Sequence, residues 1–217
     1  MIDSYKTVGE NTYEIIKKDI IFGNLKPLKK LKLNELKNNY KTSISTLREI
    51  LSRLSGDGFV VYEEQKGFYV SPVSESDLKE IANLRILIES HALKYSLENS
   101  NPDWEGSLLA AHHKLNLYEN KLLKNKTEER SNWKRYDSEF HQTLVRNCNS
   151  KNLIELHKLI FDKYLRYQLL VLTFRGSGSI EEHKKLLDYS LERNFKKAQM
   201  VLEEHIQNGI IHANKSF

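Results

Sequence analysis

Four side chains that can bind a metal ion lie on three amphipathic segments in the second half of the chain, and two of them share one segment. Asp137 and His141 are four residues apart, which places the carboxylate and the imidazole one helical turn apart on one face. Trp133, Phe140 and Leu144 share that face. An apolar helix face is buried in a folded protein, and an unpaired charge there is costly. The pattern therefore predicts that Asp137 and His141 have partners in the core.

Two further histidines lie on the apolar faces of the next two predicted helices. His183 shares a face with Leu187, and His205 shares one with Val201. Three helices can thus bring together one carboxylate and three imidazoles, which hold a divalent cation and leave positions open for water or an anion. The alternative is a polar pocket of hydrogen-bonded core histidines without metal. The single cysteine, Cys148, excludes a thiolate zinc cluster.

The composition places these segments in an ordinary globular protein. The chain has 217 residues, of which 39% are hydrophobic and 29% charged, with only 9 glycines and 3 prolines. That balance excludes collagen-like, low-complexity and wholly disordered chains. The longest apolar run, at 169–172, is far too short to span a membrane, and the N-terminus lacks the apolar stretch of a signal peptide. We expect a soluble, cytoplasmic protein that does not contact a membrane.

Positive charge is concentrated in one short part of the chain. The segment 26–53 contains eight basic and two acidic residues, so its local charge of +6 exceeds the net charge of +5 of the whole chain. Such a segment is either a solvated helical surface or a surface that contacts nucleic-acid phosphates.

The elements around this basic segment favour nucleic-acid binding. Helical spacing predicts helices over 4–22 and 34–39, and a third helix that Thr42 or Ser43 caps and that ends at Gly56. Two strand-like stretches, 59–62 and 68–70, then predict a β-hairpin. Three helices and a hairpin in about 70 residues are typical of a winged helix-turn-helix, whose last helix enters the major groove of DNA.

The same residues resemble a known family. The stretch 43–54, which reads Ser-Ile-Ser-Thr-Leu-Arg-Glu-Ile-Leu-Ser-Arg-Leu, is followed by Gly-Phe-Val-Val at 58–61 and Gly-Phe-Tyr-Val at 67–70, and it resembles the GntR family of bacterial transcriptional regulators. Asn34 and Ile44 stand where that family usually has arginine, which implies a different operator preference because isoleucine cannot hydrogen-bond a base. The resemblance implies that the residues facing DNA are Lys41, Ser43, Ser45, Thr46, Arg48 and Gly67.

The rest of the chain is predicted to be all helical. From Ser74 onward, breaks near 101–102, 124–127, 147–150, 176–179 and 194 divide it into about six helices. Ser179 and Glu182 have the spacing of a capping box at the start of one helix. We therefore predict a mainly α protein with two domains, a winged helix-turn-helix over 1–73 and a helical bundle over 74–217.

The bundle resembles the FCD effector-binding domain of the FadR subfamily of GntR regulators over about residues 74–212. The resemblance rests on Asp137 followed by His141, on Glu182 before His183, and on His205. It implies that the Asp and the three His residues bind a divalent metal ion such as zinc, nickel or manganese.

Two arginines are candidates for binding an effector. Arg85 lies among Ile81, Leu84 and Ile88, and the resemblance implies that it binds an effector carboxylate, although a salt bridge with Glu89 is equally compatible with the sequence. The second candidate is Arg166.

These observations leave three functional hypotheses. The first is a homodimeric transcription factor, a repressor rather than an activator, that binds double-stranded operator DNA and responds to a small carboxylic acid bound with the metal. The second is a metal-dependent hydrolase built on the Asp and three His, although no further acid or base stands at a recognisable spacing. The third is a DNA-binding module with a purely structural helical bundle. The first hypothesis explains both halves of the chain and predicts that the protein is not an enzyme.

Overall fold

A computed structural model describes residues 8–170 and 174–213 of the chain. The chain forms two compact units, and the boundary between them lies between Ser74 and Glu75. Nearly all regular structure in those ranges is helical, which confirms the predicted fold class. The first unit contains α1 (Val8–Ile21), α2 (Leu33–Tyr40), α3 (Ile44–Gly56), β1 (Val60–Glu63) and β2 (Gly67–Val70). The second contains α4 (Glu75–Glu98), α5 (Pro102–Leu123), a 3-10 turn (Thr127–Glu129), α6 (Arg130–Val145), α7 (Lys151–Leu170), α8 (Ser177–Leu191) and α9 (Phe195–Ala213).

Helix α3 is fixed at its start by a cap and along its length by burial. The Ser43 side chain accepts a hydrogen bond of 3.1 Å from the backbone N–H of Thr46, which satisfies one of the free donors of the first turn. The apolar stripe that includes Leu47 and Leu54 is fully buried, and α3 packs against α1, α2 and β1. The predicted start of the first helix at residue 4 lies outside the described residues.

The hairpin follows α3 as predicted. Strands β1 and β2 are antiparallel, with Val60 opposite Val70 and Glu63 opposite Gly67. Gly67 has φ +94°, a conformation that favours glycine, so this position permits the tight return of the chain. Lys30 forms an isolated antiparallel bridge with Tyr69, which ties the segment before α2 to the hairpin.

The second unit contains the six predicted helices. Helix α4 packs against α7 and α9, α5 packs against α6 and α8, and α8 packs against α9. Each helix buries one stripe, and on α6 this stripe includes Trp133, Phe140 and Leu144, as the spacing predicts. None of the helices in the described ranges has both the length and the apolar composition needed to cross a membrane.

Two local predictions for this unit are wrong. Helix α8 begins at Ser177 after Gly176, so Ser179 lies inside the helix and donates to the Gly176 carbonyl at 3.0 Å instead of forming a capping box with Glu182. On α4, Leu84 is 45% exposed and does not share the buried face of Arg85. The buried stripe of α4 instead carries Glu89, because the interior of the bundle is polar at this level.

Helix α9 approaches α7 closely at one glycine. A Cβ atom on Gly209 would lie 2.2 Å from the Tyr164 hydroxyl, so only glycine leaves room for that side chain in its present position. Tyr164 is almost completely buried. Because residue 209 is a glycine, the Tyr164 hydroxyl can lie this deep in the bundle.

Candidate metal centre and DNA-binding surface

The four side chains that the sequence singled out as metal ligands form one buried group, the ligand cluster. Asp137 and His141 come from α6, His183 comes from α8 and His205 comes from α9. Each offers one ligand atom, and these four atoms lie within 4.8 Å of one another. The ring centroids of His183 and His205 are 4.6 Å apart, and those of His141 and His205 are 5.2 Å apart. Such a separation brings four donor atoms around a point that a single ion can occupy.

Each histidine of the cluster is oriented by a carboxylate on its other ring nitrogen. In every pair the Nδ1 atom faces a glutamate, which requires Nδ1 to carry a proton and turns Nε2 the opposite way, toward the centre of the cluster. Carboxylates in this position fix the ring of metal-binding histidines and make the free nitrogen more basic. The pairs are His141 with Glu89 at 2.5 Å, His183 with Glu119 at 2.7 Å, and His205 with Glu182 at 2.8 Å.

Atoms at the centre of the cluster lack hydrogen-bond partners among the described residues. They are His141 Nε2, His183 Nε2 and Asp137 Oδ2, all of which are buried. Asp137 Oδ1 is 3.4 Å from His183 Nε2. Buried polar atoms normally have partners, so a group of inward-facing ligand atoms without them fits a divalent cation. The donor set of three imidazoles and one carboxylate suits zinc, nickel or manganese.

The buried carboxylates remain ionised because cationic groups and hydrogen-bond donors surround them. Burial alone would raise the pKa of Asp137, but Lys134 and His183 hold it well below its usual range. Burial would likewise raise the pKa of Glu89, and Arg85 and His141 keep it well below that range. Both side chains therefore carry a negative charge, which offsets the charge of a cation bound between them.

The three histidines differ in protonation. Burial lowers the pKa of His141 and of His205, so both are neutral near pH 7, as a metal ligand must be. Burial would also lower the pKa of His183, but Glu119 and Asp137 raise it to about 9. In the absence of a cation, His183 therefore holds a proton between two carboxylates, and that proton has to leave when a cation takes its place.

Arg85 forms the salt bridge with Glu89 that its sequence position allows. Its Nε donates to Glu89 Oε2 at 2.8 Å, which is the salt bridge between two fully buried side chains. Its guanidinium carbon also lies 4.5 Å from the Phe161 ring centroid and 4.6 Å from that of Tyr164, stacked as a cation on aromatic faces. Both Nη atoms are buried and have no hydrogen-bond partner among the described residues. The salt bridge therefore leaves donors free for a further ligand.

A small cavity opens beside the cluster. Its volume is about 20 Å³, which is room for one group of the size of a water molecule. Burial lowers the pKa of one lining residue, Lys134, to about 7, although Asp137 opposes that shift. The cavity is lined by Trp133, Lys134, Asp137, Tyr164, Gln168, Arg175, Ser179, His183, His205 and Gly209.

Neither Arg85 nor Arg166, the two predicted effector ligands, is among the residues that line this cavity. Burial lowers the pKa of the Arg166 guanidinium, and its charge interacts with Tyr167 and Asp77. The structure thus separates Arg166 from the ligand cluster, whereas Arg85 joins that cluster through Glu89.

Sequence reasoning missed several residues of this site. Glu119 continues the apolar stripe of α5, four residues after Leu115, so an acid at a core position was a readable signal. His157 is another residue of this network, because its Nε2 lies 3.4 Å from Glu89 Oε2. Arg175 had no signal in the sequence, because it lies between two helices and reaches Glu182 only in the folded bundle.

The predicted DNA-binding residues lie at the start of α3, just before it and in the hairpin. Lys41, Ser45 and Arg48 are exposed, while Thr46 and Gly67 are half-buried. The Ser43 hydroxyl is exposed as well but is engaged in the cap of α3. An open groove of about 980 Å³ lies between α3 and the hairpin, with Lys30, Lys32, Ile44, Arg48, Tyr62 and Lys66 among its lining residues.

Comparisons with known proteins agree with both halves of this description. Residues 8–70 match the family model for bacterial regulatory proteins of the gntR family, and residues 80–208 match that for the FCD domain. The chain is 28% identical to the HTH-type transcriptional regulator BphR of Paraburkholderia xenovorans, across 96% of this chain and 86% of BphR. It is 29% identical to the HTH-type transcriptional repressor GlaR of Escherichia coli, across 89% of this chain and 90% of GlaR.

The fold has solved counterparts as well. The structure of Escherichia coli McbR/YncC superposes with a TM-score of 0.80 over 97% of this chain and 98% of that chain, at 22% identity. At this identity the likeness establishes the fold alone. The relatives and families are transcriptional regulators rather than enzymes, which sets the hydrolase hypothesis aside.

The ligand cluster predicts how metal binding responds to substitution. Alanine at His141, His183 or His205, and asparagine at Asp137, should each reduce bound metal well below one ion per chain, because each change removes a donor atom from a bundle that is otherwise complete. Metal content is measured by elemental analysis, and circular dichroism should report unchanged helix content. The exposed His91→Ala serves as the control. One ion per chain in both His183→Ala and His205→Ala would contradict the four-ligand site.

The orienting carboxylates predict a smaller effect. Glu119→Gln keeps the shape of the side chain but removes the charge that holds His183 Nδ1–H, so metal affinity should fall by about 10- to 100-fold without being lost. A competition titration against a chelator measures this affinity. Asp103→Asn, an exposed acid on the same helix, is the matched control. Equal affinities in the wild type and Glu119→Gln would mean that Glu119 only fills the core.

Proposed function

We propose how this chain, which belongs to the GntR family of bacterial regulatory proteins and carries an FCD domain, acts as a regulator. It is a repressor that releases its operator DNA when a small organic acid binds beside a divalent metal ion. As a member of this family it is a DNA-binding transcriptional regulator. The observation that carries the proposal is the buried cluster of Asp137 and three carboxylate-oriented histidines. A purely structural bundle has no need of inward-facing nitrogen atoms without partners.

The DNA contact is assigned to the start of α3 and the hairpin. The local charge of +6 over 26–53 attracts phosphates, and exposed Arg48 is long enough to reach a base edge or a phosphate. Lys41, Ser45 and Thr46 surround it, while Ser43 acts through the helix cap. Ile44 lines the groove where arginine is usual in the family, so its contribution to operator choice is apolar contact rather than hydrogen bonding.

The effector site is assigned to the metal position and Arg85. When bound, a divalent cation supplies a Lewis-acid position that takes a carboxylate oxygen. The two free Nη donors of Arg85 are suited to the same group, because a guanidinium binds a carboxylate with two parallel hydrogen bonds. Arg166 faces Asp77 and Tyr167 instead, so the proposal gives it no effector contact.

Release from DNA follows from differential binding. An effector shifts the equilibrium only if it binds the DNA-free form better than the DNA-bound form. We further propose that the active form is a homodimer on a two-fold operator in the cytoplasm. Two leucines of α4 support a second subunit against one face of this helix, since Leu84 is 45% and Leu87 is 67% exposed.

Operator binding should depend on Arg48. Arg48→Ala is expected to weaken binding to the DNA upstream of the protein's own gene by at least ~1 kcal/mol, because a base or phosphate contact is lost. Gel-shift titrations at several salt concentrations measure the loss, and a phosphate contact would reduce the log-log salt slope by about 0.9. Arg146→Ala, an exposed change on the other unit, is the control. Unchanged binding by Arg48→Ala would remove α3 as the recognition helix.

The effector site is tested by Arg85→Lys, which keeps a positive charge beside Glu89 but removes both Nη donors. The metal-loaded variant should bind operator normally and should need about tenfold or more of the acid that releases the wild type, since charge-assisted hydrogen bonds are lost. The acid comes from a thermal-shift screen of small carboxylic acids with and without metal. Arg166→Lys is the control. A normal response by Arg85→Lys would assign Arg85 to structure alone, and a weak response by Arg166→Lys would move the site.

A further inference from the structure

Lys134 is a buried lysine whose amino group donates no hydrogen bond to the described residues. Its side chain is 2% exposed, and its Nζ lies 3.7 Å from the centroid of the neighbouring Trp133 ring. The Asp137 Oδ2 atom is 3.9 Å from Nζ, which is an ion pair but is too long for a hydrogen bond. The described residues offer this amino group no other polar contact. A lysine has three donors, so its burial here is costly unless something in the cavity accepts them.

A second donor in the same wall also lacks a partner. Trp133 Nε1 is buried without a hydrogen bond, and Trp133 and Lys134 both line the cavity beside the ligand cluster. Neighbouring donors favour a group that only accepts. A carboxylate is such a group, with two oxygens and about four lone-pair positions, whereas a hydroxyl also brings a donor of its own.

The other cation of the cavity wall is already engaged. Arg175 donates to Glu182 Oε1 at 3.0 Å and to Glu182 Oε2 at 2.5 Å, and it also donates to the His205 carbonyl at 3.3 Å. It therefore holds the carboxylate that orients His205. Among the described residues that line the cavity, Lys134 is the lysine or arginine left without a hydrogen bond.

We propose that Lys134 binds the effector directly and receives one oxygen of its carboxylate, while the metal position held by Asp137 and the three histidines receives the other. The inference rests on the proposed function, because it needs a carboxylate effector beside that position. It adds a residue that neither the sequence pattern nor Arg85 indicated. The ion pair to Asp137 Oδ2 places Lys134 at the edge of the ligand cluster, within reach of a carboxylate bound there.

The class of effector follows from this arrangement. The cavity has room for a group of the size of a water molecule, so one carboxylate oxygen fits it, and a small carbon behind that oxygen adds the least bulk. Acetate carries that end and little else, and acetamide has nearly the same shape without the charge. The pair therefore separates recognition of the carboxylate from recognition of shape.

The test measures acetate binding to the full-length, metal-loaded protein by tryptophan emission. Trp133 lies in the cavity wall, while Trp104 is buried with its Nε1 donating to the Thr143 carbonyl at 2.8 Å, so Trp104 contributes a constant background. We expect saturable binding of acetate by the wild type and none of acetamide. Lys134→Met should raise the dissociation constant for acetate by about 10- to 100-fold, the usual worth of a charge-assisted hydrogen bond.

Metal content and unfolding temperature are measured on the same samples. Lys134→Met should keep one metal ion per chain and fold as well as the wild type, because methionine has a similar shape and removes a buried charge. Lys134→Gln is a second variant of different polarity, and Lys158→Met changes an exposed lysine of α7 as the control.

The outcomes separate the inference from the proposed function. Equal acetate affinity in the wild type, Lys134→Met and Lys134→Gln overturns the role of Lys134 alone. Loss of metal from both variants also overturns it, since Lys134 would then hold Asp137 in place rather than the effector. A wild-type protein that takes up no metal defeats the proposed function itself. Weaker acetate binding at full metal content supports the inference.

Discussion

Burial of ionised carboxylates in an otherwise apolar bundle is the constraint on which the second unit depends. Glu89, Glu119 and Asp137 are almost fully buried, and taking such a group out of water is costly unless a partner compensates it. Part of the compensation comes from the same helix, since Arg85 lies beside Glu89 and Lys134 beside Asp137, and part comes from neighbouring helices. Glu89 of α4 pairs with His141 of α6, Glu119 of α5 with His183 of α8, and Glu182 of α8 with His205 of α9.

Each of these pairs therefore joins two helices and orients one ring at the same time. The packing of the helices and the geometry of the ligand cluster therefore depend on the same contacts. A change in the position of α8, for example, moves His183 and Glu182 together, and with them the contacts to α5 and α9. A ligand that binds the cluster contacts three helices directly and acts on the others through their carboxylates, which is a physical route from a small molecule to the whole unit.

The first unit depends on a simpler balance. A few buried side chains and one serine cap fix α3, and its exposed face is left to basic and hydroxyl side chains. Ile44 also lines the groove, but its apolar side chain can contribute only contact and no hydrogen bond. In the proposed DNA contact, charge would supply affinity for DNA in general, and the side chains around Arg48 would supply the choice of operator.

Local patterns in the sequence were sufficient for the elements and for the ligand residues. Period and turn residues predicted three helices, a hairpin and six further helices, and the spacing of Asp137 and His141 placed both on a buried face. These features depend on neighbours within one helix, so one stretch of sequence specifies them. Tertiary structure alone decided which carboxylate faces which imidazole, that Arg85 keeps two free donors, and that Lys134 and Arg175 meet at one cavity. The carboxylate–imidazole pairs join residues 23 to 64 positions apart, and spacing along one helix carries no information about which helix lies opposite it.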